Sequence, residues 1–227
     1  MPALFIVATP IGNLLDFTLR AVNVLKNVDL ILCEDTRTTK KLLEHYQIKT
    51  PALSYHQHSK IQKIDYIIRI LKEGKNLALV SDAGTPGISD PGNKLIAQLN
   101  NCLIEQLEIT PVPGPSALTA AASISGFPMD RFLFLGFPPA KKKRKRFFEE
   151  VINSKYPVIF YESPHRIIRT LKELSSFAGD SLEIVACREL TKKFEQILRG
   201  TIKEVLDDLE KSEIRGEFAV IVKNKQR

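Results

Sequence analysis

Short apolar runs alternate with segments of helical periodicity through the first half of the chain. Leu4 to Ala8, Leu30 to Cys33 and Leu77 to Val80 are four or five residues long and predict buried strands. Between the last two, apolar residues recur at helical spacing from Ile61 to Leu71, and Gly74 follows as a helix end. This strand–helix alternation predicts a mainly parallel sheet covered by helices on both faces.

Less regular patterns predict further elements in the same half. Ala52 to Tyr55 and Glu105 to Thr110 are predicted strands. Asp16 is expected to cap a helix that runs to Asn27, and a second helix is expected from Arg37 to Tyr46. A third helix is predicted near Lys94 to Asn100.

The segment Pro111 to Pro115 holds three prolines and a glycine, so no helix is expected to continue through it. It predicts two α/β domains, residues 1–112 and 113–227. In the second, closely spaced strands at 183–189 and 194–199 indicate a hairpin and therefore a mixed sheet. The other elements predicted there are helices 116–125, 142–153, 165–177 and 201–211, and strands 132–136, 158–161 and 218–222.

Composition narrows the class of protein. A hydrophobic fraction of 44% with 26% charged residues fits a globular protein and excludes global disorder. No apolar stretch approaches the roughly 20 residues that span a bilayer, and the N-terminus enters a strand without the basic segment of a secretory signal. Cys33, Cys102 and Cys187 are widely spaced and odd in number, which argues against a disulfide framework or zinc site and favours the cytoplasm.

Three loops rich in glycine and proline follow predicted strands. They are Thr9 to Asn13, Ser81 to Gly92 and Pro113 to Ala117. Ligands of α/β proteins bind at the carboxyl ends of strands, so these loops are candidates for a binding site, although single loops of this kind are often only turns. None has the spacing of a phosphate-binding or dinucleotide-binding glycine loop.

Polar clusters lie at other strand ends. Glu34-Asp35-Thr36-Arg37 has two interpretations. It is either a helix N-cap with acids at the positive end of the helix dipole, or part of a functional site. After the strand ending at 161, Ser163 and Pro164 fit a helix start, which leaves Glu162, His165 and Arg166 as polar candidates. Glu189 and Lys192 lie in the predicted hairpin. His56 and His58 form an H-x-H pair without a third ligand, so no metal is expected.

One basic run accounts for most of the formal charge of +7. Lys141 to Arg146 are six consecutive cations. Such a run is expected to be a mobile, exposed loop leading into a helix, and it either binds a polyanion or only improves solubility.

Six motifs in order carry a resemblance over nearly the whole chain. They are Thr9-Pro10-Ile11-Gly12-Asn13, Glu34-Asp35-Thr36-Arg37, Ser81 to Gly92, Val112 to Ala117, Glu162-Ser163-Pro164-His165-Arg166 and Arg188-Glu189-Leu190-Thr191-Lys192. Together they resemble the ribosomal RNA small-subunit methyltransferases of the tetrapyrrole-methylase-like superfamily. The resemblance implies a homodimer that binds S-adenosylmethionine in the cleft between two domains and methylates the ribose 2′-oxygen of a cytidine in the decoding region of 16S rRNA.

The resemblance also implies site residues. The cofactor is expected at Pro10, Ile11, Asp82, Gly84, Thr85, Ser116 and Ala117, with Gly216-Glu217-Phe218 as a further candidate. The proton acceptor is open among Glu34, Asp35, Glu162, Glu189 and Lys192, the last on condition that its pKa is depressed. RNA contacts are expected from Arg37, Lys141, Lys142, Lys143, Arg144, Lys145, Arg146, His165 and Arg166. Longer members of the family continue past the equivalent of Val222, so the basic run is expected to carry more of the RNA binding here.

Three other functions stay open at this point. A tetrapyrrole methylase would share the fold and cofactor but act on a small molecule. A non-enzymatic RNA-binding protein would keep the fold without the cofactor. A Mg²⁺-dependent phosphohydrolase would use the acids Glu34, Asp35, Asp82 and Asp90.

Overall fold

The computed structural model describes residues 1–56, 61–90, 92–102, 104, 106–211 and 213–223. Within it the chain forms two compact units, Met1–Ser116 and Ala117–Arg227. The sequence pattern put the division four residues earlier, after Val112. Each unit contains one five-stranded sheet.

The first unit is a parallel α/β sheet. Its strands lie in the order β3-β2-β4-β1-β5, and every neighbouring pair is parallel, which confirms the predicted sheet. The elements are β1 Ala3–Val7, α1 Leu19–Asn27, β2 Leu30–Cys33, α2 Thr36–His45, β3 Ala52–Ser54, α3 Ile61–Lys72, β4 Leu77–Val80, α4 Gly92–Asn100 and β5 Glu108–Val112.

Helices cover both faces of this sheet, as expected for a parallel sheet. Leu25 of α1 and Leu43 of α2 join one buried cluster, whereas Leu71 of α3 and Leu95 of α4 join another. The chain therefore leaves β1 on one face and leaves β4 on the other, although these two strands are neighbours. That reversal makes the carboxyl ends of β1 and β4 the place where an open α/β sheet binds ligands.

The second unit has a mixed sheet in the order β6-β7-β10-β8-β9. Only β6 and β7 run parallel, and β8 and β9 form the predicted antiparallel hairpin. Phe148, Phe160, Leu171 and Val220 are buried in its core. The elements are α5 Ala117–Ile124, β6 Leu133–Phe134, α6 Arg144–Asn153, β7 Val158–Glu162, α7 Ile167–Ala178, β8 Glu183–Arg188, β9 Gln196–Thr201, α8 Ile202–Glu210 and β10 Phe218–Val222.

Two predicted helix caps are wrong. Thr18 rather than Asp16 caps α1, accepting a hydrogen bond from the Ala21 N–H at 3.1 Å, because Asp16 belongs to a preceding 3-10 turn. Ser163 does not cap α7 either, since a turn separates it from the first helical residue, Ile167. At α8, Thr201 and Glu204 form a capping box.

The predicted fifth strand is displaced. It was expected at Glu105 to Thr110, but β5 extends to Val112 and so includes Pro111. A proline is tolerated there because β5 is an edge strand that pairs only with β1. Glu105 lies outside the described residues. Among the helices of the described chain, none is long and apolar enough to cross a membrane.

Candidate functional site

The three glycine- and proline-rich loops of the first unit meet at the carboxyl ends of β1, β4 and β5. Thr9 and Gly84 exchange backbone hydrogen bonds, with N–H to O distances of 2.9 and 3.1 Å. The Thr85 hydroxyl donates to the Pro115 carbonyl at 3.1 Å, and the Ala8 N–H donates to the Val112 carbonyl at 3.1 Å. Loops far apart in sequence thus form one bonded cluster.

Hydroxyl groups and small residues keep this cluster tight. Both the Thr9 and Ser81 hydroxyls are buried and donate to backbone carbonyls, Thr9 to Ser81 at 3.0 Å and Ser81 to Gly84 at 2.8 Å. Gly84 has a φ of +86°, and a Cβ added there would lie 3.3 Å from Cγ2 of Ile11. The backbone conformation therefore favours glycine at position 84, and a methyl group there would crowd Ile11.

The second half of the long loop is held by its own side chains. The Asp90 carboxylate accepts hydrogen bonds from the N–H groups of Gly87 and Gly92, at 2.5 and 2.9 Å. The Asn93 side-chain amide donates to the Gly87 carbonyl at 2.6 Å. Pro91 lies outside the described residues. The loop is consequently a defined structure rather than a simple connection.

Asp35 and Arg37 are committed to one another. Asp35 caps α2 by accepting from the Arg37 N–H at 2.8 Å, and its carboxylate pairs with the Arg37 guanidinium at 2.7 Å. The side-chain and backbone hydrogen bonds from Arg37 lower the pKa of Asp35 to about 2. These contacts support the helix-cap interpretation of Asp35 and leave Arg37 paired, although its side chain is exposed.

Glu34 and Asp82 stand in a different environment. Burial, followed by the charges of Asp82 and Asp90, raises the pKa of Glu34, and only His56 opposes the shift. Burial also raises the pKa of Asp82, although its carboxylate accepts the Asp35 N–H at 3.1 Å. This edge of the sheet therefore concentrates negative charge. Within the described ranges, no set of three or more His, Cys, Asp or Glu residues is arranged to hold a metal ion, and His58 lies outside those ranges.

Glu162, at the end of β7, is a fully buried carboxylate. It pairs with the Arg166 guanidinium at 2.7 Å and accepts hydrogen bonds from the Ser163 N–H and the Thr170 hydroxyl, each at 2.7 Å. A charge without solvent contact needs such partners. Its geometry is that of a structural anchor, and Arg166 is its counter-ion.

Arg144 contradicts the picture of six exposed cations in a mobile loop. It is only 6% exposed, and its guanidinium donates to the Thr170 hydroxyl at 2.9 Å, the Pro139 carbonyl at 2.9 Å and the Glu173 carboxylate at 2.7 Å. Thr170 links it to Glu162. The other five residues of the run are exposed, as is His165. Arg144 therefore belongs to the interior of the second unit.

The hairpin candidates Glu189 and Lys192 form an ion pair of 2.8 Å, and Glu217 lies 3.4 Å from the same ammonium group. Burial alone lowers the pKa of Lys192, but the hydrogen bond that its ammonium donates to Glu189 and the charges of both glutamates outweigh burial, so its pKa is raised. The condition of a depressed pKa for Lys192 is thus wrong. Burial raises the pKa of Glu189, but its bonds to Lys192 and the Glu217 N–H overcome that effect, and the pKa is lowered.

The positions of the other cofactor candidates are plain. Pro10, Ile11, Gly84, Thr85 and Ser116 belong to the first unit and its loop cluster, while Ala117 is the first residue of α5 in the second unit. The sequence pattern missed the buried hydroxyls of Thr9 and Ser81. Hydroxyl residues placed directly after two apolar strands were the available signal.

Comparison with known proteins gives a consistent family. The family model for tetrapyrrole (corrin/porphyrin) methylases matches residues 3–206. The ribosomal RNA small subunit methyltransferase I of Thermotoga maritima is 44% identical over the full length of both chains. The protein of that name from Bacillus subtilis is 46% identical, over 98% of this chain and 75% of its own.

Solved structures give the same fold at low identity. Diphthine synthase matches with a TM-score of 0.77 and 10% identity, over 99% of this chain and 90% of its own. Cobalt precorrin-4 methyltransferase, a cobalamin biosynthetic enzyme, matches with a TM-score of 0.72 and 17% identity, over 98% and 94%. At such identities the likeness shows the fold alone.

Proposed function

This chain belongs to the tetrapyrrole methylase family, and from that premise we propose that it methylates the ribose 2′-oxygen of a cytidine in the decoding region of 16S rRNA. S-adenosylmethionine is the methyl donor. The observation that carries the proposal is the 44% identity to the ribosomal RNA methyltransferase of Thermotoga maritima over the whole of both chains.

The residues of the first unit fit this cofactor. Its sulfonium and amino groups are cationic, and the carboxylates of Glu34 and Asp82 gather at the sheet edge without an ion pair among the described residues of their own. The absence of a side chain at Gly84 lets its loop pack closely against Ile11 and Ser116. We propose that the Asp82 carboxylate and the backbone of Thr85 hold the cofactor beside Gly84, whose own N–H and carbonyl are bonded to Thr9 and Ser81.

Methyl transfer to a hydroxyl is an in-line displacement that requires alignment of three atoms and removal of one proton. Among the candidate proton acceptors of this chain, Glu34 is the one carboxylate whose pKa moves toward neutrality. Asp35 and Glu189 move the other way, and Glu162 is enclosed by its partners. We therefore favour Glu34 as the proton acceptor.

The partner and assembly follow from the same proposal. The exposed cations at Lys141, Lys142, Lys143, Lys145 and Arg146 are suited to phosphate groups of the rRNA. A homodimer in the cytoplasm is proposed from the resemblance, and light scattering after gel filtration tests the mass of the assembly against a monomer of 25.6 kDa.

The decisive experiment supplies methyl-labelled S-adenosylmethionine and small ribosomal subunits that lack the modification. We expect label on a single cytidine ribose of 16S rRNA, identified by mass mapping of nuclease fragments. Subunits that already carry the methyl group are the matched control and should take up none. Label on a uroporphyrinogen-type substrate instead of RNA would replace this proposal with the tetrapyrrole methylase.

A further inference from the structure

The segment 136–143, which we name the presenting loop, begins with an aromatic side chain on a rigid support. Phe137 is 49% exposed. It packs against the Tyr161 ring of β7 in a T-shaped arrangement at a centroid distance of 5.6 Å, and Tyr161 in turn contacts Phe134 at 4.9 Å. The Tyr161 N–H donates to the Gly136 carbonyl at 2.9 Å. Phe137 is therefore held against Tyr161 while about half of the residue stays exposed to solvent.

Two arginines then hold the loop backbone. Arg166 donates to the Pro138 carbonyl at 3.2 Å, and Arg144 donates to the Pro139 carbonyl at 2.9 Å. Both arginines are themselves held by the buried network around Glu162 and Thr170. Consecutive carbonyls are thus tied to the core of the second unit, which gives the loop a definite position.

Exposed cations follow directly on this support. Lys141, Lys142 and Lys143 are all exposed, and Lys143 has a left-handed φ of 69° just before α6. Lys145 and Arg146 add two more cations in the first turn of that helix. Positive charge at a helix N-terminus opposes the helix dipole, so this placement weakens the helix and is not explained by folding.

We infer that the presenting loop is a binding site for single-stranded RNA, in which Phe137 stacks on an unpaired base while Lys141, Lys142 and Lys143 contact phosphates. The inference rests on the proposed function and adds a contact that reads an unstacked base. Arg144 is a positioning residue in this site, because its guanidinium is consumed by the protein.

The chemistry of the loop favours a single strand over a duplex. Aromatic side chains bind bases through their faces, and bases in a duplex are already stacked on one another. Ammonium groups on flexible stems are suited to phosphates whatever the sequence. A ring beside a row of lysines is the combination found in proteins that bind single strands.

The chain contains no tryptophan, so one introduced indole reports on this site alone. We would titrate Phe137→Trp with an unstructured oligocytidylate RNA and follow tryptophan fluorescence. Stacking on a base predicts strong quenching that saturates with binding. Leu19→Trp, at a position 89% exposed in the first unit, is the control and should change little. Absence of quenching in Phe137→Trp while RNA is bound would overturn the inference.

Affinity measurements on the same RNA separate stacking from charge. Phe137→Ala should weaken binding about tenfold and leave the salt dependence unchanged, whereas Lys141→Ala should reduce the salt slope by about one phosphate contact. Phe137→Leu keeps an apolar contact for Tyr161, so it checks that the loss comes from the ring rather than from a disturbed fold. S-adenosylmethionine affinity should be unchanged in all three variants.

Phe194 provides the matched control for the alanine variant. It is 70% exposed, and the Lys193 ammonium lies 5.5 Å from its ring centroid, but it belongs to the β8–β9 hairpin. Equal losses for Phe194→Ala and Phe137→Ala would overturn the assignment to the presenting loop. Wild-type protein that binds RNA with no effect of Phe137→Ala refutes this inference alone. Wild-type protein that binds neither the oligonucleotide nor the small subunit refutes the proposed function as well.

Discussion

Two sets of carboxylates, one in each unit, are used in opposite ways. In the first unit, Glu34 and Asp82 lie among other acids, and burial with like charge raises the pKa of each. In the second, Glu162, Glu173 and Glu189 are each bonded to an arginine or lysine. Despite burial, hydrogen bonds from Arg144 and Arg169 lower the pKa of Glu173, and Glu189 is shifted in the same direction.

This difference separates two kinds of acid. We name Glu34 and Asp82 the binding acids, and Glu162, Glu173 and Glu189 the structural acids. A carboxylate paired with a neighbouring cation stabilises a loop, but its electrostatic attraction for a cationic ligand is weak. Carboxylates that lie close together at a sheet edge without a paired cation repel one another, which lowers the stability of the fold, and they attract a cationic ligand. The binding acids of the first unit therefore lower its stability, whereas the structural acids of the second unit hold the presenting loop and the hairpin in place.

The largest effect is expected when a structural acid loses its charge. Glu162→Gln keeps the shape and the hydrogen-bond acceptor but removes the charge that faces Arg166. Loss of one partner of a buried pair is expected to lower the free energy of unfolding by about 3 kcal/mol. Urea denaturation measures it, and Glu149→Gln, in an exposed pair with Lys145, should change it by less than about 0.5 kcal/mol. Equal effects would contradict the anchor role.

The role of Glu189 in holding the hairpin can be tested by a substitution at Gly216, which lies beside it. A Cβ at Gly216, where φ is +79°, would overlap Cγ and Cδ of Glu189. Gly216→Ala should therefore lower the free energy of unfolding by about 2 kcal/mol through conformation and displacement of that side chain. Gly179→Ala has the same conformational cost at φ +83° but meets nothing within 4 Å, so it should lose only about 1 kcal/mol. Matching losses would exclude the steric contribution of Glu189.

For the binding acids, the largest effect is expected on cofactor affinity. Asp82→Asn keeps an oxygen for the Asp35 N–H but removes the charge. Calorimetry with S-adenosylmethionine should show affinity about tenfold weaker, equivalent to about 1.4 kcal/mol. Asp65→Asn, on the exposed side of α3, is the control for a general loss of negative charge. Unchanged affinity in Asp82→Asn would remove Asp82 from the cofactor site.

The smallest expected effect is a pair of opposite pH dependences. Because the pKa of Glu34 is raised in the folded protein, its contribution to stability is present below the ordinary value of 4.5 and is lost as pH rises through the raised pKa. Glu34→Gln should then be more stable than wild type at neutral pH. Because the pKa of Glu189 is lowered, its contribution is present above 4.5 and is lost as pH falls through the lowered value.

Glu189→Gln should accordingly be less stable than wild type at neutral pH and approach it in acid. Both differences should stay below about 1 kcal/mol, since solvent screens these groups. Thermal melting of each variant and of wild type from about pH 3 to about pH 8, in steps of about half a pH unit, measures both stability differences as a function of pH. Differences of the same sign at neutral pH would break the distinction between the two kinds of acid.

Local sequence carried much of the first unit. Apolar runs located its central strands, and the carboxyl ends of parallel strands necessarily share an edge, so loops after β1, β4 and β5 could be expected to meet. The raised pKa of Lys192 could be foreseen only in part. Its neighbour Glu189 has the largest raising effect, but Glu217 reaches Lys192 only through the pairing of β10 with β8. Such contacts depend on strand order, which no local pattern encodes.

Arg144 lies between these cases. Nothing in six consecutive cations marks one as buried. Its helical phase does, because Arg144, Phe147, Phe148 and Val151 recur at intervals of three and four residues and all are buried on one face of α6. The pattern was present in the sequence, but the charge of the run concealed it.

The strand order also constrains how the protein is made. β1 pairs with β4 and β5, so during synthesis it meets its neighbours only about 70 to 105 residues later. In the second unit β10 inserts between β7 and β8, which remain separated until it is synthesised. Neither sheet can close before its last central strand emerges, so each unit is expected to fold late and cooperatively during translation rather than strand by strand.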